Sequence, residues 1–226
     1  MNFKILTSLM LTTVFIGCGG GRVMRVIPSE ADAKVFLDNQ YYGTGSVDIK
    51  FAEPSSAMIK VEKPGYLTWG PYLFENASNK NVTGRLDVKM EKDESLDASA
   101  LSDVANKGFT QVVNKKLSED RAWKVISSIV TSYFDEVETS DKSTGYLKTA
   151  WVAQPFNNGQ IMIRTRVLIK GISGDNLAYQ IKLSSERAET LPNQKIKVND
   201  DEKFKSWDRV LRKYNELISE FQNRLK

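Results

Sequence analysis

The sequence predicts an α+β fold, in which a small antiparallel β-sandwich is followed by an antiparallel sheet with two helices packed on one face. Between residues 23 and 90, apolar and polar residues alternate in short runs, which is typical of strands with one buried face. Apolar residues recur at helical spacing over 119–134 and again over 201–225. Long alternating runs joined by Asn-Gly and Gly-Asp-Asn turns lie between these two helices.

The first seventeen residues have the features of a secretory signal peptide. Lys4 supplies one positive charge before a mostly apolar run, 5–16. This run is too short to cross a hydrocarbon core, which takes about 20 residues. Gly17 and then Cys18, the one cysteine of the chain, follow the run. The segment 15–18, Phe-Ile-Gly-Cys, resembles the lipobox of bacterial lipoproteins.

The lipoprotein resemblance implies cleavage before Cys18, a diacylglyceryl thioether on its sulfur and acylation of the new amino terminus. Residues 18–22 would then form a glycine-rich lipidated tether. In that family an aspartate after the cysteine tends to signal retention in the inner membrane, and here Gly19 takes that place. The expected location is therefore the outer membrane, facing the periplasm. The alternative is a free buried cysteine after an ordinary signal peptide.

Residues 23–90 carry a second resemblance. The segments 28–39 (PSEADAKVFLDN), 43–45 (GTG) and 63–66 (KPGY) are similar to those of a PEGA domain. Asp32 replaces the motif glycine and Asn39 the usual turn glycine, and no Thr-Pro follows Gly43. The resemblance implies a compact β-sandwich that acts as a non-enzymatic accessory module on envelope and surface proteins.

Residues 91–106 are predicted to form a charged linker, and the period of the pattern changes after it. A strand at 109–113 precedes a helix with Ser118 as its N-cap. Three strands follow at 146–154, 160–172 and 177–187. A last helix is predicted over 201–225, with Asn199 and Glu202 placed for a capping box.

The element order of residues 107–226, with the placement of Trp123 and Trp151, resembles the helix-grip domains of envelope lipoproteins. The C component of the outer-membrane β-barrel assembly machinery is one such family. The resemblance implies a protein-docking or scaffold role without catalysis.

Three aromatic residues, Trp69, Tyr72 and Phe74, flank a Gly-Pro pair after the last turn of the predicted sandwich. On a loop, such side chains can stack on a sugar ring or contact a protein partner. The alternative is that they cap the core of the sandwich.

Two arginines, Arg164 and Arg166, lie on one face of the predicted strand 160–172. Side by side, they can hold a carboxylate or a phosphate through paired hydrogen bonds. The alternative is that they form the solvent face of a half-covered sheet.

The composition argues against an enzyme. The chain has no histidine, which excludes Ser-His-Asp and Cys-His nucleophiles and imidazole zinc sites. A single cysteine excludes Cys-cluster metal sites. Carboxylates lie next to one another at predicted helix ends and turns, where solvated helix caps are a simpler interpretation than acid–base catalysis. These groups are Asp93/Glu94, Asp135/Glu136/Glu138 and Asp200/Asp201/Glu202.

The net charge is +4, and residues 203–226 contain seven Lys or Arg against three acidic residues. A basic amphipathic helix can contact an anionic membrane or an acidic partner, although its charges are equally the solvent face of a core helix. No block of Lys and Arg is dense enough to indicate nucleic acid.

These patterns predict a non-catalytic lipoprotein that is attached to the membrane through Cys18 and acts as a protein-binding or scaffold component of an envelope assembly. No cofactor and no metal are expected. The alternative is a carbohydrate- or peptidoglycan-binding module that uses the aromatic group at 69–74. A hydrolase with a carboxylate pair is the least favoured hypothesis.

Overall fold

The computed structural model describes residues 22–51, 57–74, 84–191 and 194–226. The chain divides into two compact units, one ending at Met90 and the other spanning Glu91–Lys226. The predicted α+β class is confirmed. The expected signal peptide, Cys18 and all of the tether except Arg22 lie outside the described residues. In the described part of the chain, no helix is long and apolar enough to cross a membrane.

The first unit is a sandwich of two small sheets. Its described strands are β1 (Arg22–Pro28), β2 (Lys34–Leu37), β3 (Gln40–Thr44), β4 (Val47–Phe51), β5 (Ala57–Glu62), β6 (Trp69–Phe74) and β7 (Arg85–Val88). One sheet has the order β4-β1-β7 and the other β3-β2-β5-β6. Alternate residues of both sheets form one core, which contains Met24, Val26, Ala33, Val35, Ile49, Ala57, Ile59, Val61, Val88 and Met90.

One strand pair of the sandwich differs from the antiparallel expectation. β1 pairs with β4 in the antiparallel sense but with β7 in the parallel sense. Between β1 and β7 the chain passes through the other sheet. A crossover of that length can bring a strand back in the parallel direction, whereas a tight hairpin cannot.

Two of the three segments that carry the resemblance, 28–39 and 63–66, meet in a charged cluster. The Lys63 Nζ lies 2.6 Å from the Glu30 carboxylate and 2.7 Å from that of Asp32, and 4.7 Å above the Tyr66 ring. At the turn between β2 and β3, Asn39 has a φ of 64°, which asparagine tolerates better than most residues. Gly45 is required, because a Cβ there would lie 2.6 Å from the Ala31 carbonyl oxygen.

The second unit contains a seven-stranded antiparallel sheet, a two-stranded sheet and three α-helices among its described residues. Their bounds are α1 (Glu94–Asp97), β8 (Ser99–Leu101), β9 (Gly108–Val112), α2 (Glu119–Tyr133), β10 (Val137–Asp141), β11 (Tyr146–Thr149), β12 (Val152–Phe156), β13 (Ile161–Ile172), β14 (Ala178–Glu189), β15 (Lys205–Ser206), β16 (Arg209–Leu211) and α3 (Asn215–Arg224). The large sheet has the order β10-β11-β13-β14-β15, with β12 beside β13 and β9 beside β14. β8 and β16 form the small sheet.

Helix α2 confirms the pattern seen at 119–134. The Ser118 side chain accepts a hydrogen bond from the backbone N–H of Arg121 and caps the helix. The apolar stripe of α2 is buried, and Trp123 lies 6.2 Å from the ring of Tyr179 on β14. The stripe therefore packs on the face of the sheet to which Tyr179 points.

Helix α3 packs beside α2. The Tyr133 hydroxyl at the end of α2 donates a 2.6 Å hydrogen bond to Glu220, and the Phe134 ring stacks 5.1 Å from that of Tyr214. Burial first, and the hydrogen bond to Glu220 second, raise the pKa of Tyr133 to about 12. This phenol is therefore a neutral donor throughout the neutral pH range.

The prediction of a last helix over 201–225 is wrong for the first half of this segment. Only α3 is α-helical, and residues 201–214 form two short 3₁₀ turns and the strands β15 and β16. Lys205–Ser206 pair with β14, and β16 pairs with β8. No side-chain capping bond forms at Asp200, the residue before the first 3₁₀ turn. Tertiary strand pairing overrides the helical spacing in this segment.

The segment 91–106, expected as a linker, belongs to the second unit. It contains α1 and β8, and Ala105 forms a bridge to Leu183 of β14. Asp93 is 5% exposed, caps α1 and pairs with Arg187 at 3.0 Å. The charge pattern of the segment indicates solvated side chains, because Arg187, the partner of Asp93, lies 94 residues further along the chain.

Candidate functional site

The two faces of the hairpin β13–β14 have different roles. Side chains of odd-numbered residues on β13, such as Ile163 and Val167, are buried on the same face as Tyr179. Even-numbered residues point to the opposite face, which we call the open face, although Ile196 and Phe204 cover its end at Met162 and Ala188. It carries Arg164 and Arg166, so the predicted placement of both arginines on one face is confirmed.

Arg164 is a fully paired structural residue. It is 3% exposed, and its guanidinium contacts Glu186, directly opposite on β14, at 2.6–2.8 Å. Its Nη1 donates at 2.6 Å to the Val198 carbonyl oxygen and to the Asp201 carboxylate. Because these acceptors occupy its donors, Arg164 ties the segment after β14 to the sheet instead of holding a ligand.

Aromatic rings extend this cluster along the open face. The Arg164 guanidinium carbon lies 4.0 Å from the centroid of Phe204 and 4.3 Å from that of Trp151. Arg166 also contacts Trp151, at 4.1 Å. Such cation–π contacts contribute about 0.5–2 kcal/mol each, more when water is excluded. The half-buried ring of Trp151 therefore orders both guanidinium groups.

Arg166 contacts the Trp151 ring but forms no ion pair with the described residues. Its Nε is buried, yet within the described part of the chain this atom has no hydrogen-bond partner and the side chain forms no ion pair. The residue opposite it on β14 is Ser184, which is 8% exposed. A serine cannot neutralise the charge. The buried Nε of Arg166 is out of reach of a ligand, but the side chain is only partly buried, so its terminal Nη groups are able to donate hydrogen bonds to an acceptor.

The rest of the open face is basic. Lys182 lies on β14, and Lys170 lies further along β13. Among the described residues neither forms an ion pair, whereas Lys148 on β11 pairs with Glu138 at 2.9 Å. The one acidic side chain that β13 and β14 place on this face is Glu186, which Arg164 already binds.

The aromatic group considered for ligand binding belongs to a strand, not a loop. Trp69 begins β6 and is partly buried against the core of the sandwich, in agreement with the core-capping alternative. Tyr72 and Phe74 are in the same strand by their backbone, and their side chains lie outside the described part of the structure.

A different aromatic group in the first unit is exposed. Tyr41 on β3 is 60% exposed and packs edge-on against Phe36 of β2, with ring centroids 6.0 Å apart. On the neighbouring strand β5, Lys60 lies 4.8 Å above the Phe36 ring, and Met58 is 37% exposed. The sequence pattern does not indicate this surface, because in a short β-hairpin the alternation alone does not tell which face is covered.

Several of the carboxylates considered for acid–base chemistry are used in ion pairs. Each of the three groups contributes at least one member: Asp93 with Arg187, Glu138 with Lys148, Asp200 with Lys203, and Asp201 with Arg164. Within the described residues, no group of three or more Cys, Asp or Glu side chains is arranged to hold a metal ion.

The fold and the open face define an α+β protein with a basic sheet face that is built around stacked arginines. Comparison with models of known protein families found none that matches the chain. Comparison with curated proteins also found no match.

Proposed function

We propose that this chain is a non-catalytic lipoprotein of the bacterial envelope that binds another protein through the open face of its second unit. The lipid on Cys18 would hold it on the periplasmic side of the outer membrane. Support for the lipid is the coincidence of an apolar run of signal-peptide length with the one cysteine of the chain directly after it.

The observation that carries the binding role is the contrast between Arg164 and Arg166. The two arginines lie on one face and share the ring of Trp151. Arg164 has two carboxylate partners, while Arg166 has none among the described residues. The Arg166 Nε is shielded from a partner as well as from water, but the side chain is only partly buried, so its terminal Nη groups can donate hydrogen bonds to an acceptor on a partner.

Membrane attachment is tested by Cys18→Ala, with Gly20→Ala in the tether as the control. Expressed in a Gram-negative bacterium, the wild-type chain and the control should be found in the outer-membrane fraction. Cys18→Ala should move to the soluble fraction, because it lacks the acyl chains that give stable attachment. Membrane retention of the Cys18→Ala protein would overturn the lipid proposal.

Protein binding is tested by purifying the tagged lipoprotein from solubilised membranes. Arg121→Glu makes the same charge change on α2, which packs on the other face of the sheet, and serves as the control. A partner should co-purify with the wild type and with Arg121→Glu but not with Arg166→Glu. A partner recovered equally with all three would contradict binding through the open face.

A second candidate function is binding of a cell-wall glycan by the first unit. The observation that favours it is the exposed ring of Tyr41 beside Phe36, because exposed aromatic rings stack on sugars. Sedimentation with purified cell wall distinguishes this function from protein binding. Glycan binding should depend on Tyr41 and not on Arg166.

A further inference from the structure

We infer that the partner presents an acidic, extended segment of protein to the open face, and that Arg166, Ser184 and Lys182 hold one of its carboxylates beside Trp151. This inference rests on the proposed function and specifies the chemistry of the partner.

The register of β13 and β14 brings these three side chains together. Arg166 is directly opposite Ser184, and the next pair on the same face is Leu168 opposite Lys182. Diagonal neighbours of this kind are about 7–8 Å apart at the backbone, which is within reach of long side chains. The guanidinium and the ammonium can therefore converge on one carboxylate, with the serine hydroxyl between them as a further donor.

The cations of this group are available to a ligand. Within the described residues neither Arg166 nor Lys182 forms an ion pair, and Glu186 is taken by Arg164. The Arg166 Nε is shielded from solvent and ligand alike, so a carboxylate would contact the terminal Nη groups of this partly buried side chain, whose guanidinium carbon lies 4.1 Å from the centroid of the Trp151 ring. A carboxylate matches the fork of an arginine through two parallel hydrogen bonds.

The sequence of side chains along β13 favours a protein segment over a simple anion. Arg166, Leu168 and Lys170 follow one another on the open face, about 7 Å apart, because each step spans two residues of a strand. This order is cationic, apolar, cationic. An extended chain with acidic, apolar and acidic residues at alternate positions has the same spacing and complementary chemistry. A lipid headgroup or a free phosphate would leave the half-buried Leu168 without a partner.

The test uses a fluorescein-labelled peptide made of four Glu-Ser-Leu-Ser repeats, and a control peptide in which every Glu is replaced by Gln. Binding to the full mature chain carrying Cys18→Ser, which lacks only the lipid, is measured by fluorescence anisotropy. The acidic peptide should bind, more weakly as salt is added, and the Gln peptide should not. Arg166→Gln and Lys182→Gln should each weaken binding at least about tenfold, while Arg121→Gln should change it less than about twofold.

Near-ultraviolet circular dichroism and thermal unfolding check that each variant is folded, and Lys182→Gln carries the test if Arg166→Gln is not. Equal binding of the two peptides, or no loss in either variant, would overturn the inference. Binding to vesicles of phosphatidylglycerol and phosphatidylethanolamine that depends on Arg166, without binding of the acidic peptide, would overturn it in favour of a membrane surface. If the peptide fails while a protein still co-purifies through Arg166, the inference fails and the proposed function stands.

Discussion

At the scale of single residues, Lys63 joins two carboxylates that come from one turn of the sandwich. Its hydrogen bonds are the main cause of the lowered pKa of Glu30 and of Asp32. The same bonds, first to Asp32 and then to Glu30, raise the pKa of the Lys63 amine. All three groups are therefore charged at neutral pH, and the cluster holds the turn after β1 against the turn after β5.

This cluster predicts how the first unit responds to acid. A carboxyl whose pKa is lower in the folded chain adds stability that is present above its ordinary pKa, about 4, and is lost as the pH falls through the folded value. The first unit should therefore lose stability below about pH 4. Lys63→Met removes the hydrogen bonds, so the carboxyl pKa values of Glu30 and Asp32 should rise towards ordinary values. Carbon-13 NMR titration of the two side chains measures this directly.

Lys60→Met is the matched control for this titration. Lys60 pairs with Glu62 on the same strand and does not contact the cluster. Its replacement should leave the pKa values of Glu30 and Asp32 unchanged. If Lys63→Met gave the same titration curves as the wild type, the lowered carboxyl pKa values would need another cause.

Arg164 and Arg166 show how much of a binding site the sequence can predict at the scale of single residues. Alternation along β13 was sufficient to place both on one face, because a strand has a period of two. The alternation could not distinguish Arg164, which forms two ion pairs, from Arg166, which forms none with the described residues. That difference depends on the residue opposite each, Glu186 or Ser184, and on Asp201 in a later segment. Such pairings are set by register between strands, which a local pattern does not contain.

At the scale of elements, the two-stranded sheet β8–β16 depends on one arginine. The Arg209 guanidinium donates to the Ser99 hydroxyl at 2.8 Å and to the carbonyl oxygens of Leu96 and Ser99 at 3.0 and 3.2 Å. It therefore connects β16 with the end of α1 and with β8, more than 100 residues earlier in the chain.

Arg209→Met should lower the free energy of unfolding of the second unit by about 2–3 kcal/mol. Methionine retains much of the apolar stem but leaves these acceptors without their charged donor, and hydrogen bonds to charged groups contribute about 1.5–3 kcal/mol. Urea unfolding followed by circular dichroism measures the change.

Arg212→Met is the control for Arg209→Met. Arg212 is exposed and, in the described contacts, donates to one acceptor, the Asp97 carbonyl oxygen, at 3.1 Å. Because Arg212 is exposed, water can replace its one hydrogen bond, so its replacement should cost less than about 1 kcal/mol. Equal losses in both variants would show that Arg209 does not hold the two strands together.

The same region explains which elements the sequence could predict. Helix α2 was predictable because a local cap and a continuous apolar stripe indicate the same structure. Residues 205–211 also follow a helical spacing, yet β14 and β8 recruit them into strands. Competition between a local helix and a distant strand edge is decided by tertiary packing, which periodicity alone does not report.

At the scale of the whole molecule, the division of the chain after Met90 assigns residues 91–106 to the second unit. This segment supplies β8 to β16, the bridge from Ala105 to Leu183, and the Asp93 carboxylate to Arg187. A boundary at residue 107, as the charge pattern suggested, would remove the partners of β16 and Leu183 and would leave Arg187 with Glu189, at 3.1 Å, as its described carboxylate partner.

Two fragments test this boundary. The fragment 91–226 should fold alone, with a dispersed amide NMR spectrum and a single cooperative unfolding transition, because it retains every described contact of the second unit. The fragment 107–226 should be less stable by at least about 2 kcal/mol, since it loses β8 and the acceptors of Arg209, and hydrogen bonds to charged groups contribute about 1.5–3 kcal/mol. Urea unfolding of both fragments measures the difference. Equal stability would mean that residues 91–106 are a linker after all, and that Arg187 and Arg209 do not depend on them.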